Sequence, residues 1–187
     1  MSISYVDKFP FYGIMRGMEN NAINNVQLIL DEIKFSSKSC AFTGHRKLEK
    51  DFSVTKLKRE IKRLMEEGVE VFYCGMAQGF DLTAGELVLK SKKKFPKVKL
   101  IICIPCVNQE KYYTAEDKKR YAQICKKADE VEIISDTYYK GCMLERDRYM
   151  ADRADVLLAY LKKETGGTAY TVNYFKKKYP LKEVIFL

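Results

Sequence analysis

The sequence predicts an α/β fold of the Rossmann-like, three-layer kind: a mostly parallel sheet of about six strands, preceded by an N-terminal helical arm. Short apolar runs alternate strictly with longer amphipathic stretches, and glycine-containing loops follow the strands rather than precede them. Size agrees with both. A chain of 187 residues, 47% hydrophobic and 32% charged, suits one globular unit with a sizeable core.

Residues 1–38 carry few strand signals, an Asn-rich stretch over 19–25 and helical spacing over 26–33, which reads as an arm plus one helix. From residue 39 the period alternates. Apolar runs of strand length fall at 39–43, 69–74, 98–104, 130–134, 155–160 and 183–187. Amphipathic helical stretches separate them at 54–67, 81–94, 114–128, 143–154 and 168–179. Residues 100–104 are apolar at every position, as in a parallel strand covered by helices on both faces. The chain therefore divides into an arm, 1–38, and a Rossmann-like domain, 39–187.

Composition narrows the function classes. No run of about 18 apolar residues occurs, and residues 1–7 lack the regions of a secretory signal, so a cytoplasmic protein without a membrane partner is expected. Six cysteines lie largely within apolar runs, the pattern of reduced core thiols. Cys103 and Cys106 form a lone C-x-x-C, but with one histidine in the chain a zinc site lacks ligands, and no metal is expected. A net charge of +9 raises nucleic acid as a partner. Position weakens that argument, because Lys90, Lys92 to Lys94, Lys126, Lys127 and Lys176 to Lys178 fall in the last turns of predicted helices. There cations offset the helix dipole, at the sheet edge opposite the expected ligand crevice. Arg46, Lys140, Arg146, Arg148 and Lys162 remain to reach the crevice.

Three loops at the carboxyl ends of strands carry the functional signal: Thr43-Gly44-His45-Arg46, then Gly75 to Asp81 with Gly79 between, then Thr165-Gly166-Gly167-Thr168. Glycines there let backbone approach a ligand and aim amides at phosphate oxygens, and Thr168 suits a helix cap that also donates to phosphate. Each loop alone is also an ordinary tight turn; their convergence on one edge favours a ligand. Asp81 stands where a helix cap belongs, or where a carboxylate would receive a ribose hydroxyl. Glu86 lies about one and a half turns further on, as a solvated helix residue or a second acid. Arg146 fits a phosphate fork or a local pair with Asp147.

At these residues the chain resembles the SLOG superfamily, named from the SMF/DprA and LOG proteins, and most closely its YpsA-type branch of small bacterial proteins. The resemblance spans 39–187. It is carried by Thr43-Gly44-His45-Arg46, by Gly75-x-Ala77-x-Gly79-x-Asp81 with Ala84 and Glu86, by Arg146-Asp147 with Met150, Asp152 and Asp155, and by Gly166-Gly167-Thr168. It implies a Rossmann-like fold that binds nucleotides, nucleotide derivatives or, in DprA-like members, single-stranded DNA. LOG-like members hydrolyse nucleoside monophosphates at the N-glycosidic bond with a P-G-G-x-G-T-x-x-E signature and an arginine that Arg146 matches. This chain departs from that signature: Glu164 and Thr165 precede the glycines, and Thr171 stands in place of the glutamate. Asp81 or Glu86 would then have to supply the catalytic carboxylate.

Three functions follow as expectations. The first is a binding or sensing domain for a nucleotide or a derivative such as ADP-ribose, needing no further cofactor, with Thr43, Gly44, Arg46, Gly75, Gly79, Asp81, Arg146, Gly166, Gly167 and Thr168 around the ligand. The second is a LOG-like hydrolase using Asp81 or Glu86. The third is a DprA-like single-strand binder, with Tyr112, Tyr113, Tyr138 and Tyr139 as stacking rings that could equally be packing. Relatives of DprA and LOG type commonly dimerise, so a homo-oligomer is expected from the resemblance.

Overall fold

Each apolar run becomes a strand of one sheet, and each amphipathic stretch a helix lying across it. The computed structural model describes residues 38–187; the arm and helix expected over 1–38 lie, Lys38 apart, outside the described residues. The strands are β1 (Lys38–Gly44), β2 (Val69–Cys74), β3 (Lys99–Ile104), β4 (Glu130–Ile133), β5 (Val156–Tyr160) and β6 (Glu183–Phe186). The helices are α1 (Val54–Glu66), α2 (Phe80–Ser91), α3 (Ala115–Lys127), α4 (Cys142–Arg153) and α5 (Gly167–Lys178), with a 3-10 turn over Gln109–Tyr112.

The sheet order is β4-β3-β2-β1-β5-β6 and every neighbouring pair is parallel, so the sheet is wholly rather than mostly parallel. The chain steps outward from β1 to β4, then returns to add β5 and β6 on the other side of β1. Parallel crossovers keep one hand, so this reversal sends α1, α2 and α3 to one face and α4 and α5 to the other. Two core layers result. One holds Phe42, Leu57, Ile61, Phe72, Phe80 and Leu100; the other holds Ala41, Met150, Leu157, Val172 and Phe175. A crevice opens at the carboxyl edge where the strand order reverses, between β1 and β5.

Local sequence sets the helix limits. Ser53 caps α1 by accepting the Lys56 N–H at 3.1 Å, and Leu57, Ile61, Leu64 and Met65 bury one face. Gly68, at φ +90, ends it. Thr114 caps α3 in the same way, accepting from Asp117 N at 3.1 Å. Asp81 is not the cap of α2, as the sequence had suggested. Gly79 is, at φ +74, and Asp81 sits one residue inside the helix.

The β1–β5 seam is fastened at both edges of the sheet. At the amino edge Ser39 donates its N–H to Asp155 Oδ2 at 2.9 Å, and Asp155 donates its own N–H to Ser39 O at 2.9 Å. At the carboxyl edge the Lys162 N–H donates to His45 Nε2 at 2.8 Å. Beneath lies an aromatic layer: Phe42 stacks on Phe72 with centroids 5.7 Å apart, and Phe80 on Tyr160 at 6.0 Å. Among the described residues no helix is long and apolar enough to cross a membrane.

Gly44 is where the sheet edge meets this layer. A Cβ there would stand 2.3 Å from the Phe80 ring, closer than any side chain allows. The expected cost of Gly44→Ala is about 1–3 kcal/mol of overpacking, seen in urea unfolding as a lower midpoint with unchanged slope. An unchanged midpoint would mean that Phe80 repacks freely.

Candidate functional site

The three loops singled out in the sequence do meet at one cleft of about 260 Å³. Thr43, Gly44 and Arg46 come from the end of β1, Asp81 from α2, Arg146 from α4, and Gly167 and Thr168 from α5. The remaining predicted glycines do not line it; Gly75 and Gly79 have a packing reason instead, and Gly166 a conformational one. A Cβ on Gly75 would fall 2.3 Å from Arg146 Nη1, so its bareness makes room for the guanidinium. At Gly79 a Cβ would fall 2.2 Å from Arg46 O, and the positive φ already disfavours any other residue. Gly166, at φ +92, turns the chain into α5.

Three helices start at this cleft and all are capped by glycine: α2 by Gly79, α4 by Gly141 and α5 by Gly166, none making a side-chain cap bond. The helices capped by their own hydroxyl residues, α1 and α3, contribute nothing to its lining. Helix starts leave amides without intrahelical acceptors. In α2 the protein uses some of them: Phe80 N donates to His45 O at 3.2 Å and Leu82 N to Ala77 O at 3.2 Å, while the Asp81 side chain accepts from Ala77 N at 3.3 Å just before the helix. In α5 the amides of Gly167, Thr168 and Ala169 have no acceptor among the described residues. Open amides at a positive dipole end, with the Thr43 and Thr168 hydroxyls beside them, make an anion-binding surface.

Arg146 is the electrostatic centre. Only 4% exposed, it donates Nε to Asp147 Oδ1 at 2.8 Å and Nη1 to Gly75 O and to Cys103 O, the latter at 3.2 Å. Nη2 has no partner among the described residues, in a side chain that lines the cleft. Burial works against its charge, yet Asp147 and Asp81 outweigh that and hold the guanidinium protonated. Asp81 shares the buried space. Burial pushes its carboxyl up to about 7, Arg146 pulls against this, and Asp147 adds to the rise. A buried carboxyl that changes charge near neutrality, in a cleft, is fit for proton transfer as well as for ribose binding.

Glu86 does not join this group. It projects away from the cleft and pairs with Arg120, whose Nε lies 2.7 Å from Glu86 Oε1. Its place one and a half turns beyond Asp81 puts it on the face that meets α3. The position of the LOG glutamate, Thr171, is buried; its hydroxyl lies 2.9 Å from Gly167 O and 3.2 Å from Asp147 Oδ2. A carboxylate thus reaches this spot from α4.

Other basic candidates are committed elsewhere: Lys162 to Asp51 at 2.6 Å and Arg148 to Tyr170 Oη at 2.8 Å. Arg46 is exposed at the cleft and has no ion pair among the described residues. The sequence reading passed over Asp147, His45, Met143 and Leu144 as lining residues. His45 was within a quoted motif, and its lowered pKa, from burial and from Lys163, keeps Nε2 an acceptor for Lys162. All six cysteines are free, and burial pushes the Cys103 thiol up to about 12. Cys106 has Cys142, not Cys103, as its thiol neighbour.

A six-stranded parallel sheet with a glycine-capped, arginine-centred cleft at its switch point defines a SLOG-type Rossmann-like domain. The sequence profile of the YspA SLOG family matches residues 40–185, and the chain belongs to that family. It is 31% identical over 125 residues to a UPF0398 protein of Brevibacillus brevis, covering 65% of this chain and 66% of that protein. With a UPF0398 protein of Halalkalibacterium halodurans the identity is 32% over 123 residues, covering 64% and 65%. These matches span just under two thirds of either relative's length. Among solved structures, DNA processing protein A of Helicobacter pylori, described with its single-stranded DNA binding mode, superposes with a TM-score of 0.61 at 21% identity. That match covers 80% of this chain and 65% of the other. The Streptococcus pneumoniae protein of the same name gives 0.58 at 18%, covering 80% and 50%. Both share the fold.

The raised Asp81 carboxyl ties stability to pH. Between its ordinary value near 3.8 and about 7, the folded state holds a proton that the unfolded chain has released, so stability falls as pH rises through that window. At about 1.4 kcal/mol per unit the loss is roughly 4 kcal/mol, complete above the folded value. Asp81→Asn is expected to flatten this part of the profile and to raise the melting temperature more at pH 8 than at pH 5. Parallel pH profiles for the two proteins would show that Asp81 is already charged in the fold.

Proposed function

We propose that the chain is a binding or sensing domain for a nucleotide or nucleotide derivative, ADP-ribose among the fitting shapes. One observation carries the reading: behind its glycine cap, Gly166, the first amides of α5 have no acceptor among the described residues, while α1 and α3 each satisfy one of theirs with Ser53 and Thr114. In this reading the phosphate sits on the α5 amides and the Thr43 and Thr168 hydroxyls, with Arg46 closing from solvent and Arg146 Nη2 donating from within. Asp81 receives a ribose hydroxyl. No further cofactor takes part.

A second reading, N-glycosidic hydrolysis, is favoured by Asp81. Its pKa of about 7 suits a general acid or base at the sugar, while Glu86 lies outside the cleft. A third, single-stranded DNA, draws on the Helicobacter pylori neighbour and on the exposed rings of Tyr112 and Tyr138 near the cleft.

Thermal shift with AMP, ADP-ribose and ribose 5-phosphate tests the first reading, because a ligand of the native state raises the midpoint. Arg46→Ala, an exposed change, is expected to weaken binding about tenfold without moving the unliganded midpoint. ADP-ribose, whose pyrophosphate does not titrate near neutrality, should bind more tightly at pH 6 than at pH 8, because an anion favours the protonated Asp81; Asp81→Asn should remove that slope. Free base in the mixtures, lost in Asp81→Asn, would make the domain a hydrolase. No shift with any phosphorylated ligand would refute the nucleotide reading, and salt-sensitive binding of an oligonucleotide alone would move it to single strands.

A further inference from the structure

Beside the cleft lies a second, larger hollow of about 500 Å³, and Arg46 and Met143 stand in the walls of both. Its chemistry differs from that of the cleft. Tyr112 and Tyr138, 87% and 71% exposed, line it with Val107 and Met143, and Gln109 supplies an amide. One ligand that places a phosphate in the cleft and a flat ring in the hollow would pass along Arg46.

Gln109 gives the hollow its specificity. Nε2 donates to Gly75 O at 3.0 Å and to Tyr113 Oη at 2.9 Å, and Tyr113 in turn donates to Met76 O at 3.1 Å. This chain fixes which way the amide points, since a reversed amide would set oxygen against the Gly75 carbonyl. Oε1 is then left as the one buried side-chain polar atom without a partner among the described residues. Buried acceptors are nearly always matched, and an unmatched one costs about 1–3 kcal/mol. A neighbouring amide that lines the same hollow is already engaged, Gln78 donating to Asp117 at 2.9 Å. The acceptor therefore calls for a donor from outside. The turn that carries it starts at Asn108 in a left-handed conformation, φ +62, and ends at the outlying Tyr112; a ligand in the hollow would have to displace this segment to reach Oε1.

We propose that this hollow takes a nucleobase bearing an amino group on its pairing edge, adenine or cytosine in type. The amino N–H donates to Gln109 Oε1, and the ring lies against Tyr112 or Tyr138. The inference rests on the phosphate reading of the cleft and adds the class of base. Hypoxanthine and uracil set a carbonyl oxygen where that amino group stands, acceptor to acceptor, and reach Oε1 only by shifting to a ring N–H, so they bind more weakly. The same base edge can come from a free nucleotide or from a single strand.

Calorimetric titration of AMP against IMP, CMP against UMP, and oligo(dA) against oligo(dT) tests it, with ribose 5-phosphate as the base-free control. Wild type is expected to prefer the amino partner of each bound pair by about tenfold or more. Gln109→Ala should bring each pair within about twofold and leave ribose 5-phosphate unchanged. Tyr138→Ala, an exposed change, should weaken AMP several-fold and spare ribose 5-phosphate, which keeps the test decisive if Gln109→Ala unfolds. Preference in the mononucleotides assigns a free ligand; preference in the oligonucleotides alone assigns a strand. Equal binding of AMP and IMP, or a preference that survives Gln109→Ala, overturns the base assignment while the cleft reading stands. Failure of every phosphorylated ligand, ribose 5-phosphate included, removes the cleft reading and this one with it.

Discussion

The carboxyl edge of the sheet is organised around one buried guanidinium. Placing Arg146 away from water carries a desolvation cost of several kcal/mol, offset here by Asp147 and by the carbonyls of Gly75 and Cys103. Those carbonyls end two adjacent strands, so the arginine ties β2 and β3 to α4. The rest follows from its bulk and charge. Gly75 has no side chain because the guanidinium occupies that space. Asp81 is buried next to it yet does not simply ionise, because burial outweighs the pull of the guanidinium, with Asp147, already its counter-charge, adding to the rise. Proton exchange near neutrality thus arises from burial working against a fixed cation.

Much of the fold was legible because it depends on periods that sequence displays directly. The strand and helix runs, their order and the position of the glycine loops all follow from spacing, and Val69–Cys74 coincides with its predicted run. Fully parallel pairing was less legible, since periodicity gives strands but not partners. At the site the sequence pointed to loops that do share one cleft, but it did not show the neighbours of each residue. Gly75 and Gly79 read as ligand glycines because a close approach by Arg146 or by the Arg46 carbonyl asks for the same bare backbone as a phosphate does. Glu86 read as a second acid because its sequence distance from Asp81 says nothing of Arg120, 34 residues away and on another helix.

Some features had no local signal at all. Gln109 belongs to no motif, and its unmatched oxygen exists only because Gly75, Tyr113 and Met76 line up from other segments. The cysteines carry the same lesson: Cys103 and Cys106 share a C-x-x-C spacing, yet Cys106 has Cys142 for its neighbour. By contrast the lysine-rich helix ends were readable as charge placement, with Lys90, Lys126, Lys127 and Lys176 to Lys178 in last turns. These six lysines thereby stand at the edge away from the cleft.

The seam between β1 and β5 bears on how the chain folds. Ser39 and Asp155, hydrogen-bonded across it, are 116 residues apart in sequence, whereas β1 meets β2 and β2 meets β3 across one helix each. Loop-closure entropy favours the short connections first, so the four strands from β1 to β4 can assemble before β5 docks. The cleft straddles that last joint. A molecule held there gains its contacts only once β5 has docked, so its binding opposes the parting of β5 from β1.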